Sequence, residues 1–497
     1  MFKNSNKSIK QNFIMNSILN LSSIVFPLIT FPYISRILLP VGTGKIGFAT
    51  SFISYFVMFA QLGIPTYGVR ECAKVRDNRL ELSRTAQELL IINLIMSFFA
   101  YIVLFLALEF IPRLQEDKAL YLIISSTILL SAIGMEWIYR GLEQYTYITI
   151  RSIVFKLMAM IAMFLLVHHK SDYVVYGVIT IFASVASNIM NFIHVTNYIS
   201  LKPVGGYNFR KHLKPISVFF FMSCATTIYT NLDAVMLKFM TNDIEVGYYD
   251  EAIKIKGVLV SIVTSLGTVL LPRSSYYLEN KNYKEFYNIS QKALNFVFVF
   301  AMPITLYFSL FARESIYLIS SSAYEGAVIP MIFIMPTVLI IGITNIIGIQ
   351  MYVPLGKQRI VLRSEICGAL TDFAVNLLFI PLYGGAGAAI GTLLAELSVF
   401  MVQFKELRED KKMFRTIKVL KIICALLVGV AFSYWIKYFG LTQRFGETLG
   451  SLLILTISSI LFFASYSCTI IFLREPFAVY VKDEIEQYII KSIKRFN

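Results

Sequence analysis

Residues 86–110 read AQELLIINLIMSFFAYIVLFLALEF, and from Leu89 to Leu108 the run carries no charged side chain. As a helix such a run rises about 30 Å, the thickness of a bilayer's hydrocarbon core. A helix also satisfies its own backbone hydrogen-bonding groups, which hydrocarbon demands. About fourteen stretches of this kind lie between residues 12 and 472. The segments between them are short, so the chain's work is done within a membrane.

Outward from that run, helices are expected near residues 12–38, 44–66, 86–110, 119–139, 150–168 and 173–199, and again near 215–238, 247–271, 289–311, 328–350, 363–381 and 385–404. Two more follow near 416–437 and 448–472. The polar break at 200–214 holds Pro203, Gly205 and Gly206 and reads as a linker between halves. The expected fold is therefore an all-α polytopic membrane protein: a six-helix bundle over 1–199, a cytoplasmic linker over 200–214 and a second six-helix bundle over 215–404. A basic loop at 405–415, two added helices over 416–472 and a tail over 473–497 complete it.

Composition agrees, with 57% hydrophobic and 15% charged residues and a mean hydropathy of +0.68. The net charge of +15 comes from Lys and Arg scattered through short loops rather than from a basic tract, which argues against nucleic acid as a partner. With a cytoplasmic N-terminus, about 34 of the 45 Lys and Arg fall inside, as the positive-inside rule requires. Both termini are then cytoplasmic. The first apolar segment, with Pro27 and Pro32, is too long for a cleavable signal. Five isolated cysteines, Cys72, Cys224, Cys367, Cys424 and Cys468, suggest neither disulfides nor a metal site.

The halves show faint self-similarity. Lys45-Ile46-Gly47-Phe48-Ala49 opens the second helix, and Glu245-Val246-Gly247-Tyr248-Tyr249 opens the eighth. Six-helix repeats of this sort are a transporter signature. The run Pro27-Leu28-Ile29-Thr30-Phe31-Pro32-Tyr33-Ile34-Ser35-Arg36-Ile37-Leu38 followed by Gly42-Thr43-Gly44-Lys45-Ile46-Gly47 resembles the N-terminal signature of the polysaccharide-biosynthesis transporters, the Wzx-type flippases. Leu62-Gly63-Ile64-Pro65-Thr66-Tyr67-Gly68, Glu136-Trp137-Ile138-Tyr139-Arg140-Gly141, Asn231-Leu232-Asp233 and Tyr383-Gly384-Gly385-Ala386-Gly387 extend the likeness along nearly the whole chain.

That resemblance implies membership of the superfamily of multidrug, oligosaccharidyl-lipid and polysaccharide exporters, with two six-helix bundles in a V around a cavity. It implies a polyprenyl-diphosphate-linked oligosaccharide as substrate, moved across the bacterial plasma membrane by alternating access. Membrane lipids surround the chain, and a polysaccharide polymerase and glycosyltransferases are candidate partners.

The ionisable residues give an independent reading, because charges inside apolar helices are costly and tend to face a cavity or a partner. Arg36, Asp233, Lys254 and Lys256 fall in the outer half of the membrane on this topology. Arg36, Lys256 and Lys254 are candidates for contacting a diphosphate, with Asp233 a candidate neutraliser; snorkelling to the interface is the plainer alternative for the lysines. Lys254 can pair with Asp250 one turn away. Asp372 and Glu396, near the middle of their spans, are candidates for coupling to a proton or sodium ion, the alternative being hydrogen-bonded packing. Prolines and glycines at 27, 32, 330, 336, 342 and 348 weaken their helices.

No enzyme constellation, metal ligand set or phosphate-binding loop is present in the sequence, and no cofactor is expected. A drug-cation antiporter of the same superfamily is the rival reading, disfavoured by the basic outer residues. A polysaccharide polymerase is disfavoured because the longest external segment, near 312–327, is small.

Overall fold

The first two expected helices are joined as α1 (Ile9–Gln61), two helical stretches that meet at a kink, in the computed structural model of the chain, which describes residues 9–407, 414, 417–483 and 486. Leu39 breaks the helical geometry with φ 57° and ψ 177°; the ring of Pro40 bars it from the α region, and its positive φ is one that leucine seldom adopts. Pro27 and Pro32 stay within helical geometry, so the bend falls later than their positions suggest. Just past the break the hydroxyl of Thr43 donates to the carbonyls of Leu39 and Pro40 at 3.2 and 3.3 Å.

Further along lie α2 (Ile64–Lys74), α3 (Arg79–Phe110), α4 (Lys118–Gly134), α5 (Glu136–Gly141) and α6 (Tyr145–Leu166). Next come α7 (Tyr173–Ile181), a π-turn over Phe182–Ala186, and α8 (Ser187–His194). After the linker come α9 (Arg210–Met240), α10 (Asp243–Glu279), α11 (Tyr283–Leu310) and α12 (Ala312–Ile319). The chain continues as α13 (Val328–Ile334), α14 (Pro336–Asn345), α15 (Gln358–Tyr383) and α16 (Gly385–Glu406), then α17 (Val419–Ser433) and α18 (Glu447–Phe472).

Among the described residues, eleven helices are long and apolar enough to cross a membrane, or twelve when the pair bent by 41° at Pro336 counts as one span. The shortfall from about fourteen has a physical source at the start of the chain. A run of 61 residues from Ile14 to Lys74 counts once although a straight helix of that length would far exceed a bilayer. Most helices also outrun their apolar cores. Asn78 caps α3 seven residues before the expected start, its side chain accepting from the amides of Leu80 and Glu81 at 3.1 and 3.3 Å.

The chain divides into two units, Met1–Gly247 and Tyr248–Asn497. In the first, α1 packs against α3, α4, α6 and α9. Phe98, Phe99, Val103 and Phe110 of α3 are more than half exposed, an apolar face suited to lipid. Two backbones touch where α10 begins. A Cβ on Gly44 would lie 1.8 Å from the carbonyl oxygen of Asp243, and one on Gly247 would lie 2.1 Å from that of Pro40. Glycine is required at both places, one just before the first self-similar segment and one within the second. In the second unit α15 pairs closely with α16, α17 with α18, and α11 with α14.

The boundary at residue 247 differs from the expected linker at 200–214, and the linker itself explains why. Gln87 Nε2 donates to the carbonyls of Ser200 and Lys202 at 2.6 and 2.8 Å, and Arg84 Nε donates to that of Gly205 at 3.0 Å. The segment is fastened to α3, and α9 begins at Arg210 rather than 215 and packs on α1. The basic loop expected at 405–415 and the end of the tail lie largely outside the described residues. Within the tail, residues 476–483 are helical.

Gly44→Ala and Gly247→Ala are expected to lower the thermal unfolding midpoint of purified protein, since overpacking costs about 1–3 kcal/mol or more where backbone must move. Gly257→Ala, whose Cβ would meet nothing within 4 Å, serves as the neutral comparison. Equal midpoints for all three would refute the backbone contact.

Candidate functional site

A polar layer crosses α15 and α16 in the second unit. Thr371 Oγ1 donates to Ser398 Oγ at 3.1 Å, and a Cβ on Gly391 would lie 2.0 Å from Asn376 Oδ1 and 3.1 Å from Asp372 Oδ1. In an antiparallel pair this register brings Glu396 level with Asp372. All three side chains are buried, Asp372 at 2%, Asn376 at 0% and Glu396 at 5% exposure. One turn from Glu396, Thr392 Oγ1 lies 2.8 Å from Tyr249 OH, tying the layer to α10. Two buried carboxyl groups among amide and hydroxyl neighbours have the chemistry to hold a proton or a small cation.

The lysines of α10 belong to the same unit. Lys254 forms its i,i+4 ion pair with Asp250 at 2.6 Å, with 38% of its side chain exposed, and Lys256 is half-buried two residues on. Arg36 and Asp233 belong to the first unit. Arg36 is exposed on α1, one turn before the Leu39 kink, while Asp233 is buried on α9 at 7% exposure. The six candidates therefore fall into separate groups, two in the first unit and four in the second.

Several buried ionisable groups escape a reading of the sequence because their partners are distant in it. Asp117, with 1% of its side chain exposed, takes Lys45 at 2.8 Å and a hydrogen bond from Tyr173 OH at 3.0 Å, and Lys45 lies 4.8 Å from the centre of the Tyr173 ring. Lys238 pairs with Asp243 at 2.6 Å, and Arg113 donates to the carbonyls of Lys238 and Phe239, capping the end of α9. These groups gather beside the glycine contact at the start of α10.

On α3, Glu88 is fully buried. It accepts from the Asn208 amide at 2.6 Å and pairs with Lys211 at 2.8 Å and His212 Nε2 at 2.7 Å, while His212 Nδ1 lies 2.7 Å from Tyr67 OH. His212 and Glu88 lie 124 residues apart, and Glu88, charged and early in an apolar run, is the signal the sequence offers. In the second unit Glu251, also fully buried, accepts from Ser320 Oγ at 2.8 Å. Its position beside Asp250 in a charged stretch concealed it. Glu136 pairs with Arg140 at 2.8 Å, as its spacing predicts, and also lies 3.5 Å from Arg151.

Residues 9–278 match the model of a family described as "Polysaccharide biosynthesis protein". An Escherichia coli (strain K12) protein named "Putative O-antigen transporter" is 23% identical over 411 residues, 82% of this chain and 99% of that protein. The lipid II flippase MurJ in an inward-closed conformation shares the fold with a TM-score of 0.65 at 18% identity, covering 91% of this chain and 99% of its own. An inward-facing multidrug-resistance transporter of the MATE family follows at 0.61 and 14% identity, covering 81% and 99%. Both likenesses are of fold.

The Lys45–Asp117 pair tests how the first unit's buried charges are held. Lys45→Met should destabilise the protein by about 3–5 kcal/mol because it leaves Asp117 buried and uncompensated. The double variant Lys45→Met, Asp117→Asn should recover part of that loss in thermal unfolding. Strictly additive losses would show that the two do not act as a pair.

Proposed function

The chain belongs to the polysaccharide biosynthesis protein family, and from that premise we propose that it is a flippase carrying an undecaprenyl-diphosphate-linked oligosaccharide from the cytoplasmic to the outer face of a bacterial plasma membrane. The observation that carries the reading is the family match over residues 9–278, joined to a multi-pass helical fold shared with a lipid II flippase. The relative from Escherichia coli, named for O-antigen, supports a lipid-linked glycan as cargo. The chain is a transporter and not an enzyme. Transport proceeds by alternating access.

On this reading Arg36 and Lys256 contact the diphosphate. Arg36 is exposed on α1 and offers a planar fork that suits phosphate oxygens, which Lys cannot reproduce although it keeps the charge. Lys254, engaged by Asp250 at 2.6 Å, is the weaker ligand of the two lysines. Asp233 offsets basic charge rather than touching substrate. Asp372 and Glu396 carry the coupling proton or sodium ion. Should they not, the membrane potential acting on a charged substrate supplies about 2.3 kcal/mol per charge per 100 mV.

Export is measured as surface polysaccharide in a host lacking its own flippase, with membrane protein level as control. Arg36→Ala should abolish it, Arg36→Lys retain part, and Lys256→Ala fall between. The Asp372→Asn, Glu396→Gln double variant should reduce export with normal protein level. Full export by Arg36→Ala removes it from the site; normal export by the double variant relegates the carboxyl pair to packing.

Both termini lie on the cytoplasmic side, so single cysteines at Lys405 and Lys118 should differ in intact cells. An impermeant thiol reagent is expected to reach position 118 and not position 405. The opposite pattern inverts the orientation and with it the direction of transport.

A further inference from the structure

Where α10 ends and α11 begins, the second unit holds a pocket of about 310 Å3 lined by Arg273, Tyr277, Glu285, Lys292 and Tyr480. Its floor is apolar, from Leu270 and Phe296 with Phe477. Arg273 Nε donates to Tyr277 OH at 3.1 Å, and its guanidinium lies 5.7 Å from that ring's centre. Lys292 Nζ lies 4.7 Å from the centre of the Tyr480 ring. Both cations are exposed, and among the described residues neither forms an ion pair. Glu285 is the acidic residue of the lining, and Asn288 Nδ2 donates to its Oε2 at 3.4 Å.

Two aromatic-braced cations at the end of a helical hairpin, where apolar spans give way to polar sequence, form a receptor for an anion at a membrane boundary. A second feature says which anion. From the pocket α11 runs on to Phe300, Pro303 and Ile304, which with Phe463 and Ile470 of α18 line an apolar groove of about 490 Å3. At 1.5 Å per residue, Pro303 lies roughly 16 Å along the helix from Lys292. Residues 476–483 contribute to both, with Phe477 and Tyr480 in the pocket and Ala478 and Val481 in the groove. A charged head at the boundary and an apolar slot deeper along the same helix match a lipid rather than a soluble ion.

We propose that this site binds an anionic glycerophospholipid of the leaflet on the side of residues 476–483, its phosphate between Arg273 and Lys292 and an acyl chain along the groove. The site goes beyond the transport reading and does not rest on it. On the orientation above that leaflet is cytoplasmic. The bound lipid fixes the 476–483 helix against α11 and α18, linking the headgroup composition of the membrane to the packing of the chain's last described segment.

Native mass spectrometry of the full chain in detergent, titrated with phosphatidylglycerol or phosphatidylcholine, tests it. Phosphatidylglycerol should bind more tightly, and Arg273→Gln, Lys292→Gln should weaken it by about thirtyfold, the factor for two basic residues at an anionic surface. Arg273→Lys, Lys292→Arg keeps both charges and should restore most of the affinity, which separates charge recognition from misfolding. Millimolar inorganic phosphate should leave lipid binding unchanged. Equal binding of the two lipids, equal affinity in the Gln variant, or displacement by free phosphate would each overturn the assignment.

Discussion

Two backbones in van der Waals contact, at Gly44 against Asp243 and at Gly247 against Pro40, hold together the first unit. Within hydrocarbon, burying apolar surface gives helices little reason to associate, so close packing of small residues and polar bonds must supply the attraction. The kink at Leu39 makes the contact available. It turns α1 away from its own axis, Thr43 bonds the carbonyls of Leu39 and Pro40 beside the turn, and the start of α10 meets the backbone there. Around that contact lie Lys45 with Asp117, Lys238 with Asp243, and Arg113 on the last carbonyls of α9. Asp117 and Lys238, the buried charges there, each have a partner within 3 Å, as the cost of desolvation requires.

The second unit uses the same device for a different end. Gly391 lets α15 and α16 approach so closely that Asn376 and Asp372 reach across the gap. Small residues thereby gather polar side chains into a layer instead of excluding them. Tyr249, at the start of the unit, reaches Thr392 in the same layer, so a change in charge at Glu396 is one helical turn from a hydrogen bond to α10. The lysines proposed to meet substrate stand on that helix.

Hydropathy makes the spans legible because an apolar run of bilayer length has few other uses, and the residues from Leu89 to Leu108 show it plainly. It is blind to helix ends, which are polar; Arg79 and Arg210 start helices well before their apolar cores. The break expected between residues 38 and 44 is met by the kink at Leu39, while Pro27 and Pro32, which weaken a helix in principle, stay helical. Of the candidate site, Lys254 with Asp250 was legible since both sit on one helix face. Glu88 with His212, 124 residues apart, was not, for no local pattern encodes a contact that only the folded chain creates. Arg273 follows one expected helix and Lys292 lies within the next, and nothing local marks them as two walls of one pocket.

The strap of residues 200–209 on α3 carries a consequence for the order in which the chain is made. The first unit includes α9 and ends at Gly247, beyond what looks like the midpoint linker, so six emerged helices do not yet constitute a finished half. At roughly 5–20 residues per second, the ribosome needs a few seconds more after residue 200 to deliver Gly247. During that interval the surface of α1 that will receive α9 faces lipid, and Glu88 waits for His212 and Lys211. Fastening the strap early, through Gln87 and Arg84, would hold the incoming helix near its place while the insertion machinery completes the next span. Sequence order and spatial closure are thus offset by one helix, so the first unit closes only after the helix that follows the linker has emerged.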